Sequence, residues 1–456
     1  MGADARMHDD AGRRRSAPST LRVDPKDLDS PDGVANVVSA IYQTARYGTP
    51  LVVSAPAAAG ARAALDAEID AGGIVRDGAA ARALRAGSAK ESAARLAAVC
   101  EMVGLDASLA LDGPPPSKAV GGVRIEASLS DDDVAPAPSP GEPSRVAVAG
   151  LGVVGEGLAR RLLAAPERFE LVGALIGDPS KPRWRQLDPS LFTTQTEKLL
   201  ASRPDVVVGA LSCGDTGARL TEAALARGIS VVTANKQAIA HRMAEFAAAA
   251  ERANASFSYA ASVGGGAPMV ETVRRLRAEG GASAVARIDA VVNGTVNYIL
   301  SEMQDGAAFE TALAAAQAAG FAEADPSADL SGADADAKVR ILAFEAGARE
   351  IAAIDIEPLD EARARAIANA GGVWRQLAEV EIDDDAVARA RVRYADVAEM
   401  RDRPETALFA GLSGEGNALV VTLADGRRAS CRGRGAGRRP TVEAVLADLV
   451  DAGERR

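Results

Sequence analysis

The sequence predicts an α/β protein: a parallel sheet covered by helices, followed by an α+β domain and preceded by a small α/β module. Two observations carry this prediction. Between residues 145 and 236, apolar runs of strand length alternate with helical stretches, which is the pattern of a parallel sheet with crossover helices. After residue 274, helical and strand patterns follow each other less regularly, which favours a separate α+β domain.

The individual elements are predicted from the apolar pattern and the turn residues between them. In chain order they are a strand, a glycine turn and a helix at RVAVAGLGVVGEGLARRLL (145–163), strands at FELVGALIGD (169–178) and PDVVVGALS (204–212), a helix at TEAALARG (221–228) and a strand at ISVVTANK (229–236). Earlier in the chain, LVVSA (51–55) has the pattern of a buried strand and SAARLAAVCEMVGL (92–105) that of an amphipathic helix. RRPTVEAVLADLVDAG (438–453) is predicted as a final helix.

Composition limits the classes of protein to which the chain can belong. A length of 456 residues suggests roughly two to four domains, and 48% hydrophobic residues suffice for sizeable cores of small aliphatic side chains. The net charge of −11 argues against a general nucleic-acid binder, which needs a basic face. The three cysteines form no CxxC pair, so neither a disulfide framework nor a structural zinc site is expected, and a reducing cytoplasm fits best.

The apolar runs are too short for a membrane protein, and histidine is scarce. The first twenty residues lack the apolar core of a secretion signal, and no uncharged run reaches the length of a membrane span. We therefore expect a soluble protein. Only His8 and His241 occur, and His241 is predicted to be an exposed helix residue. Proton transfer must then fall to Lys, Asp or Glu.

A glycine motif follows the strand at residue 145. Gly150, Gly152 and Gly155 form GxGxxG between a strand and a helix, the context of a Rossmann-type dinucleotide site. The first glycine permits a tight turn, the second lets backbone approach a pyrophosphate, and the third lets helix and strand pack closely. Val153 and Val154 complete the loop at the helix N-terminus, where free N–H groups favour phosphate.

The end of the next strand is expected to select the cofactor. Asp178 lies where an acid can accept hydrogen bonds from the adenosine ribose, which would favour NAD. Lys181 and Arg183 follow within a turn and could hold a 2′-phosphate, which would favour NADP; they could equally be solvated loop charges. The sequence therefore predicts NAD or NADP without choosing between them.

Six segments together resemble homoserine dehydrogenase in order and spacing. They are the glycine loop, VTANK (232–236), ASVGGGAPMVET (261–272), NGTVNYIL (293–300), GFAEADPSADLSGADADAKVRILAFEAG (320–347) and GRGAGRRPT (433–441). The resemblance runs from about residue 145 to residue 453. It implies a Rossmann domain, a substrate and dimerisation domain, a C-terminal helix that returns to the first domain, and a homodimer or homotetramer. The implied reaction is the reversible, NAD(P)H-dependent reduction of L-aspartate 4-semialdehyde to L-homoserine.

The resemblance also implies the catalytic residues, and their chemistry is reasonable. Hydride addition to an aldehyde creates an alkoxide, which needs a nearby positive charge and a proton. Lys338 and Lys236 match the family's lysines, with Lys338 as proton donor or as the residue that orients it. Asp334 precedes Lys338 by four residues, so on a helix it can hold that lysine charged and aimed.

Substrate contacts are implied for a second group of residues. Glu323 and Asp329 match family acids that face the amino group and hydroxyl of the substrate. Thr295 lies in the segment that resembles the substrate side of the family, where a helix-start role is an equally good interpretation.

The sequence departs from the family at a monovalent-cation site. Relatives often have a glutamate where Ala260 stands, and the carbonyls of Val263, Gly265 and Ala267 remain as possible ligands. Carbonyls alone bring no negative charge, and ligand charge tunes the affinity for hard cations. No metal ligand is therefore assigned, and a tight monovalent-cation site is not expected.

The N-terminal region resembles the opening of aspartate kinase, in LRVDPKDLDSPDGVANVV (21–38) followed by LVVSAP (51–56). Arg22 stands where the kinase has a lysine, and Asp24-Pro25 replace a glycine pair that cradles phosphate. We therefore expect a degenerate module without phosphoryl transfer. The predicted divisions are a disordered tail (1–20), this module (21–130), a Pro-rich linker (131–144), the dinucleotide-binding domain (145–273), the substrate and dimerisation domain (274–410) and the returning C-terminal segment (411–456).

Two alternatives to an active homoserine dehydrogenase stay open at this point. One is a regulatory or scaffold protein that keeps the fold with weakened catalysis. The other is a dehydrogenase of a different amino-acid semialdehyde, since the sequence does not fix the substrate side chain.

Overall fold

The computed structural model of the chain describes most of the region after residue 141 and parts of the region before it. It covers residues 142–454 except 182, 184–186, 281–283, 402–405 and 436–437, and before them residues 19–23, 34, 37–38, 40–41, 51–56, 107–110 and 123–128. The predicted helix at 92–105, residues 131–141 of the predicted linker and the tail before residue 19 lie outside the described residues.

Four short strands form a parallel sheet in the N-terminal region. They are β1 (Ser19–Arg22), β2 (Leu51–Pro56), β3 (Ala107–Ala110) and β4 (Val123–Ser128), in the spatial order β1-β2-β4-β3. The first strand begins at Ser19, inside the range predicted as a tail. This sheet agrees with a small α/β module at this end of the chain.

The second sheet is parallel and has six strands in the order β10-β9-β8-β5-β6-β7. Its strands are β5 (Ser144–Ala149), β6 (Phe169–Leu175), β7 (Phe192–Thr193), β8 (Val206–Gly209), β9 (Ser230–Thr233) and β10 (Phe257–Ser258). Its helices are α1 (Val153–Leu163), α2 (Thr196–Ala201), α3 (Gly214–Leu225), α4 (Lys236–Ile239) and α5 (Met243–Arg252). Every residue of β8 and β9 is buried, as expected for central parallel strands with both faces covered. The predicted Rossmann-type sheet is confirmed.

The third sheet is mixed, with the order β12-β14-β13-β11-β15-β16 and one parallel pair, β12 with β14. Its strands are β11 (Val285–Val291), β12 (Glu350–Ile356), β13 (Trp374–Ile382), β14 (Val387–Asp396), β15 (Gly416–Leu423) and β16 (Arg428–Arg434). The remaining helices are α6 (Met269–Gly280), α7 (Gly294–Gln304), α8 (Phe309–Ala318), α9 (Ser327–Leu330), α10 (Ala333–Glu345), α11 (Glu361–Ala370), α12 (Val397–Arg401) and α13 (Arg438–Glu454). The predicted α+β domain is confirmed.

The C-terminal segment is divided between the two larger sheets. Strands β15 and β16 pair with the mixed sheet, although the range 411–456 was expected to return as a whole to the dinucleotide-binding domain. Only α13 returns: Val445 and Leu449 share a hydrophobic cluster with Leu158 and Leu162 of α1. The strands stay behind because their alternating apolar residues complete the face of the mixed sheet that packs on α6.

One hydrophobic cluster joins the two larger sheets. It contains residues of β5 and β9, of the intervening helices α6 and α10, and of β11, β13, β14 and β15. Helix α10 also packs against α4, which directly follows β9. The start of α10 therefore lies against the carboxyl edge of the Rossmann-type sheet, where open α/β sheets bind ligands. No helix in the described part of the chain is long and apolar enough to cross a membrane.

Candidate active site

The glycine loop has the backbone geometry that the motif predicts. Gly150 has a φ of 97°, and its N–H donates to the Leu175 carbonyl at 2.9 Å. A Cβ at Gly150 would lie 2.5 Å from the Ala210 carbonyl oxygen, and one at Gly155 would lie 1.7 Å from the Gly150 carbonyl oxygen. Both positions therefore require glycine, the first for its left-handed backbone and the second for close packing of α1 on the loop.

The middle glycine of the loop faces open space. A Cβ at Gly152 would meet no described atom within 4 Å, and this residue caps the N-terminus of α1. Val153 beside it is 68% exposed and Val154 is half-buried. The first turn of α1 is therefore accessible at the edge of the sheet. An accessible helix N-terminus with room beside it fits the pyrophosphate of a dinucleotide.

The loop after β6 contains an acid, Asp178, and an arginine, Arg183, whose side chain bonds to the backbone of the same loop. Asp178 Oδ1 accepts from the N–H of Ser180 at 2.8 Å and from its hydroxyl at 2.6 Å, and these bonds lower the pKa of Asp178. The guanidinium of Arg183 donates to the carbonyls of Asp178 and Lys181 at 2.6 and 2.8 Å. Lys181 is exposed. The acid is thus fixed in place, while Arg183 is occupied by the backbone of its own loop.

An acid–lysine cluster lies where the start of α10 meets the end of β9. Asp334, only 5% exposed, lies in the first turn of α10, and Lys338 follows one turn later. Lys338 Nζ is 2.7 Å from Asp334 Oδ2, and Lys236 Nζ is 3.0 Å from Asp334 Oδ1. One buried carboxylate therefore bridges two lysines that are far apart in sequence, and the structure brings all three predicted catalytic residues together.

The charges in this cluster support one another. Burial alone would raise the pKa of Asp334, but the positive charges of Lys338 and Lys236 outweigh it and lower that pKa to about 2. In return, the Asp334 carboxylate raises the pKa of Lys236. The Asp334 carboxylate and the Lys236 ammonium therefore stabilise each other's charged forms.

The junction between β11 and α7 supplies contacts that the sequence analysis missed. The Val292 carbonyl accepts from Lys338 Nζ at 2.7 Å and from the Asn417 amide at 3.1 Å. The amide of Asn293 donates to Asp329 Oδ1 at 3.0 Å and to Asp334 Oδ2 at 3.2 Å. Asn293 follows a strand and precedes a helix, which is the sequence signal of an N-cap, but nothing in the sequence indicates its two carboxylate contacts.

The three predicted substrate residues have different surroundings. Asp329 is half-buried beside the cluster, and burial together with the Asp334 charge raises its pKa. Glu323 is exposed, and its charge contributes to the raised pKa of Lys236. Thr295 is buried and its hydroxyl donates to the Phe321 carbonyl at 2.6 Å, which ties α7 to the segment that carries Glu323. The structure therefore favours a structural role for Thr295.

Residues 260–267 form the loop that corresponds to the monovalent-cation site of relatives. This loop has backbone carbonyls but no charged side chain. Ala260 is buried and brings no carboxylate, and the Ala267 carbonyl already accepts from Met269 N–H at 2.8 Å. Val263 is buried, and Gly265 has a φ of 60°. The Asp448 carboxylate of α13 reaches this loop, where its Oδ2 accepts from the Ala261 N–H at 3.4 Å. Weak dependence on sodium or potassium stays a prediction.

His241 is the one described histidine, and it takes no part in the cluster. It lies in the turn between α4 and α5 rather than in a helix, and its side chain is 63% exposed. The nearest acid, Asp336, is 3.9 Å away. The titratable groups of the cluster are therefore lysines and carboxylates, with no histidine of the described residues among them.

The Rossmann-type sheet, its glycine loop and the adjoining lysine cluster define an NAD(P)-dependent oxidoreductase. Comparison with known families agrees: residues 150–260 match the model described as the NAD-binding domain of homoserine dehydrogenase, and residues 268–450 match the model described as homoserine dehydrogenase. The chain belongs to the homoserine dehydrogenase family.

Individual relatives are consistent with this membership. The chain is 36% identical over 337 residues to homoserine dehydrogenase of Mycobacterium tuberculosis, covering 70% of this chain and 74% of the relative. It is 32% identical over 237 residues to the NAD(+)-dependent homoserine dehydrogenase of Pseudomonas canavaninivorans, covering 50% of this chain and 63% of that protein. The crystal structure of homoserine dehydrogenase from Thiobacillus denitrificans superposes with a TM-score of 0.57 at 30% identity, covering 68% of this chain and 73% of that one.

Proposed function

We propose that the chain interconverts L-homoserine and L-aspartate 4-semialdehyde at the cluster of Lys236, Lys338 and Asp334. The observation that carries this proposal is the buried Asp334 carboxylate, which holds both lysines beside the edge of the dinucleotide-binding sheet. Two ammonium groups at one point suit a reaction in which an aldehyde oxygen gains negative charge. NAD(P), when bound, supplies or accepts the hydride.

Lys338 is proposed to donate the proton in the reductive direction. Among the described residues, its Nζ bonds to Asp334 and to the Val292 carbonyl, which uses two of its three N–H groups. The third N–H is left to donate to the aldehyde oxygen and to transfer its proton as the alkoxide forms. Asp334 orients the lysine before the transfer, and Lys236 supplies positive charge that stabilises the developing alkoxide.

Asp329 and Glu323 are proposed to bind the amino group of the substrate. Asp329 shares the Asn293 amide with Asp334, and the Glu323 charge acts on Lys236. An ammonium substituent next to these acids favours an amino-acid substrate over a simple alcohol. Thr295 is proposed to hold the Glu323 segment in place through Phe321.

The assembly and the compartment are proposed from the family resemblance. We propose a homodimer or homotetramer that works in the cytoplasm on a small-molecule substrate. Light scattering of the purified protein measures the oligomer mass, and a monomer at micromolar concentration would contradict this part of the proposal.

The loop after β6 favours NAD over NADP. Asp178 is fixed where a ribose diol can donate to it, and the Arg183 guanidinium is already bound to backbone carbonyls. The NAD(+)-dependent enzyme of Pseudomonas canavaninivorans supports the same choice. We predict a lower KM for NAD+ than for NADP+ in the wild-type chain. Asp178→Ala should weaken NAD+ binding by about tenfold, since it removes charge-assisted hydrogen bonds. An unchanged Kd for NAD+ by titration calorimetry would contradict this assignment.

Steady-state oxidation by the purified full-length chain tests the function. We expect L-homoserine to support reduction of NAD+, while L-serine and L-threonine give much lower kcat/KM. Equal rates with other amino alcohols would favour a dehydrogenase of another semialdehyde. Cofactor binding without turnover of any of them would favour a scaffold protein that has kept the fold.

A further inference from the structure

Asn293 occupies the point where three helices that carry the site converge. It is 1% exposed and lies between β11 and α7. Its Oδ1 accepts from the Val296 N–H at 2.9 Å and so caps α7. Its Nδ2 donates to Asp329 of α9 and to Asp334 of α10. All hydrogen-bonding atoms of this one amide are therefore engaged, one side with a helix end and the other with two carboxylates.

We propose that Asn293 is a positioning residue, whose amide holds the Asp329 and Asp334 carboxylates side by side so that one faces substrate and the other aims the lysines. This inference rests on the proposed function, because it assigns the acids those tasks. Two neighbouring carboxylates repel each other, and a donor placed between them offsets that repulsion. A primary amide fits the position, since it has two N–H groups for the acids and an oxygen left for the helix cap.

The backbone between the two acids brings them to the same point. Gly332 joins α9 to α10 with a φ of 84°, and a Cβ there would lie 2.3 Å from Ile356 Cγ2. The turn therefore needs glycine, and it reverses the chain so that Asp329 and Asp334 face one amide. The junction between β11 and α7 also orients Lys338, because the Val292 carbonyl accepts from its Nζ. Residues 292–293 therefore orient both the acids and this lysine.

Two substitutions separate the positioning role from the helix cap. Asn293→Ser keeps an N-cap of comparable quality but does not reach both acids. Asn293→Asp keeps the size and the cap acceptor but replaces the donor with a third acid. Asp329 of α9 and Asp334 of α10 contact the Asn293 amide directly, Lys338 of α10 and Lys236 of α4 act on both acids, and the Glu323 charge acts on Lys236.

Asn293→Ser should lower kcat/KM for L-homoserine by about 10- to 100-fold, because a displacement of about 1 Å in a catalytic group can cost about 100-fold. We expect a higher KM for L-homoserine because Asp329 is displaced from the substrate, and a lower kcat because Asp334 no longer orients the lysines. The Kd for NAD+ should stay at the wild-type value, because the glycine loop is built by other residues. The matched control is Asp360→Ser, an exposed N-cap of α11 that lies outside the cluster and should leave the kinetics unchanged.

Asn293→Asp should show an altered pH profile. Three adjacent carboxylates raise the pKa of one of them, and its protonated form can then donate as the amide did. The ratio of variant to wild-type kcat/KM should therefore rise as the pH falls from 9 to 6, by about tenfold for each pH unit above the pKa of that carboxyl, since one proton is gained. The ratio for Asn293→Ser should change little over the same range. A pH-independent ratio for Asn293→Asp, or wild-type kinetics for Asn293→Ser, would overturn the proposal.

A crystal structure of Asn293→Ser provides a readout that does not require turnover. The Asp329 carboxylate should turn away from Asp334, and the distance between Lys338 Nζ and Asp334 Oδ2 should lengthen. Wild-type positions for both acids would overturn the positioning role even if the chain proved inactive with L-homoserine. A wild-type chain without homoserine oxidation, in contrast, overturns the proposed function and leaves this structural test to decide the role of Asn293.

Discussion

Among single residues, Asp334 is the one on which the proposed site depends most. It is a buried carboxylate whose two oxygens each contact one lysine, and Asn293 shares the second oxygen. Breaking a buried pair by removing one partner is strongly destabilising, because the remaining charges are left without compensation. The arrangement of the two lysines and the local stability therefore depend on the same ionised group.

This dependence predicts how stability changes with pH. The pKa of Asp334 is lowered from 3.8 to about 2, so its ionisation contributes about 2 kcal/mol to the free energy of unfolding. A lowered pKa means that this contribution is complete above pH 4 and is lost as the pH falls towards 2. We expect Asp334→Asn to be less stable than wild type in urea at pH 7, with a gap that narrows below pH 4. A gap that widens on acidification would contradict this account.

Among the elements, the glycine loop and α1 form the proposed cofactor site, and its glycines meet two different requirements. Gly155 is needed for packing, because a Cβ would overlap the Gly150 carbonyl, whereas a Cβ at Gly152 would meet no described atom. The motif in the sequence predicted both roles. This was possible because each close approach of the backbone requires a glycine at a fixed place in the motif, and that spacing can be read from one sequence.

These requirements can be separated by two alanine variants. Gly155→Ala should lower the melting temperature and abolish cofactor binding, since α1 must move away from the loop. Gly152→Ala should melt at the wild-type temperature but bind NAD+ about tenfold more weakly or worse, because the methyl group fills the space for the pyrophosphate. Differential scanning calorimetry and NAD+ titration measure the two effects. Equal loss of stability in both variants would show that Gly152 also packs against protein.

Other features of the site could not be predicted because they depend on contacts distant in sequence. The spacing of Asp334 and Lys338 predicted their pairing on a helix, but the bond from Lys236 to the same acid requires α4 to meet α10. Asn417 reaches the Val292 carbonyl from β15, which was expected to belong to a different domain. The positions of Asn293 and Asn417 follow from strand pairing in the mixed sheet, and a single sequence does not reveal strand order.

At the scale of the whole molecule, the N-terminal module contacts the dehydrogenase core. The buried residues described between positions 23 and 41 are aliphatic and belong to the same hydrophobic cluster as residues of α1 and α13. They are Val23, Val34, Val37, Val38 and Ile41. The Pro-rich composition of 131–144 suggests a linker between independent parts, whereas this shared cluster indicates a packed interface.

Removal of the module tests this interface. A chain that begins at residue 143 should fold but melt about 5 °C or more below the full chain, because apolar surface on α1 and α13 becomes exposed. We also expect stronger binding of a hydrophobic dye. An unchanged melting temperature would show that the two parts are independent, as the linker composition suggests.

Turnover of Lys338→Ala measures whether the acid–lysine cluster carries out the proton transfer of homoserine oxidation. Initial rates are measured with L-homoserine and saturating NAD+, beside wild type and Lys198→Ala, an exposed lysine of α2 that serves as the control. We predict that Lys338→Ala lowers kcat by about 100-fold or more, the usual effect of losing a positioned proton donor, with an unchanged Kd for NAD+. A kcat within a few-fold of wild type would remove Lys338 from the reaction and contradict the account.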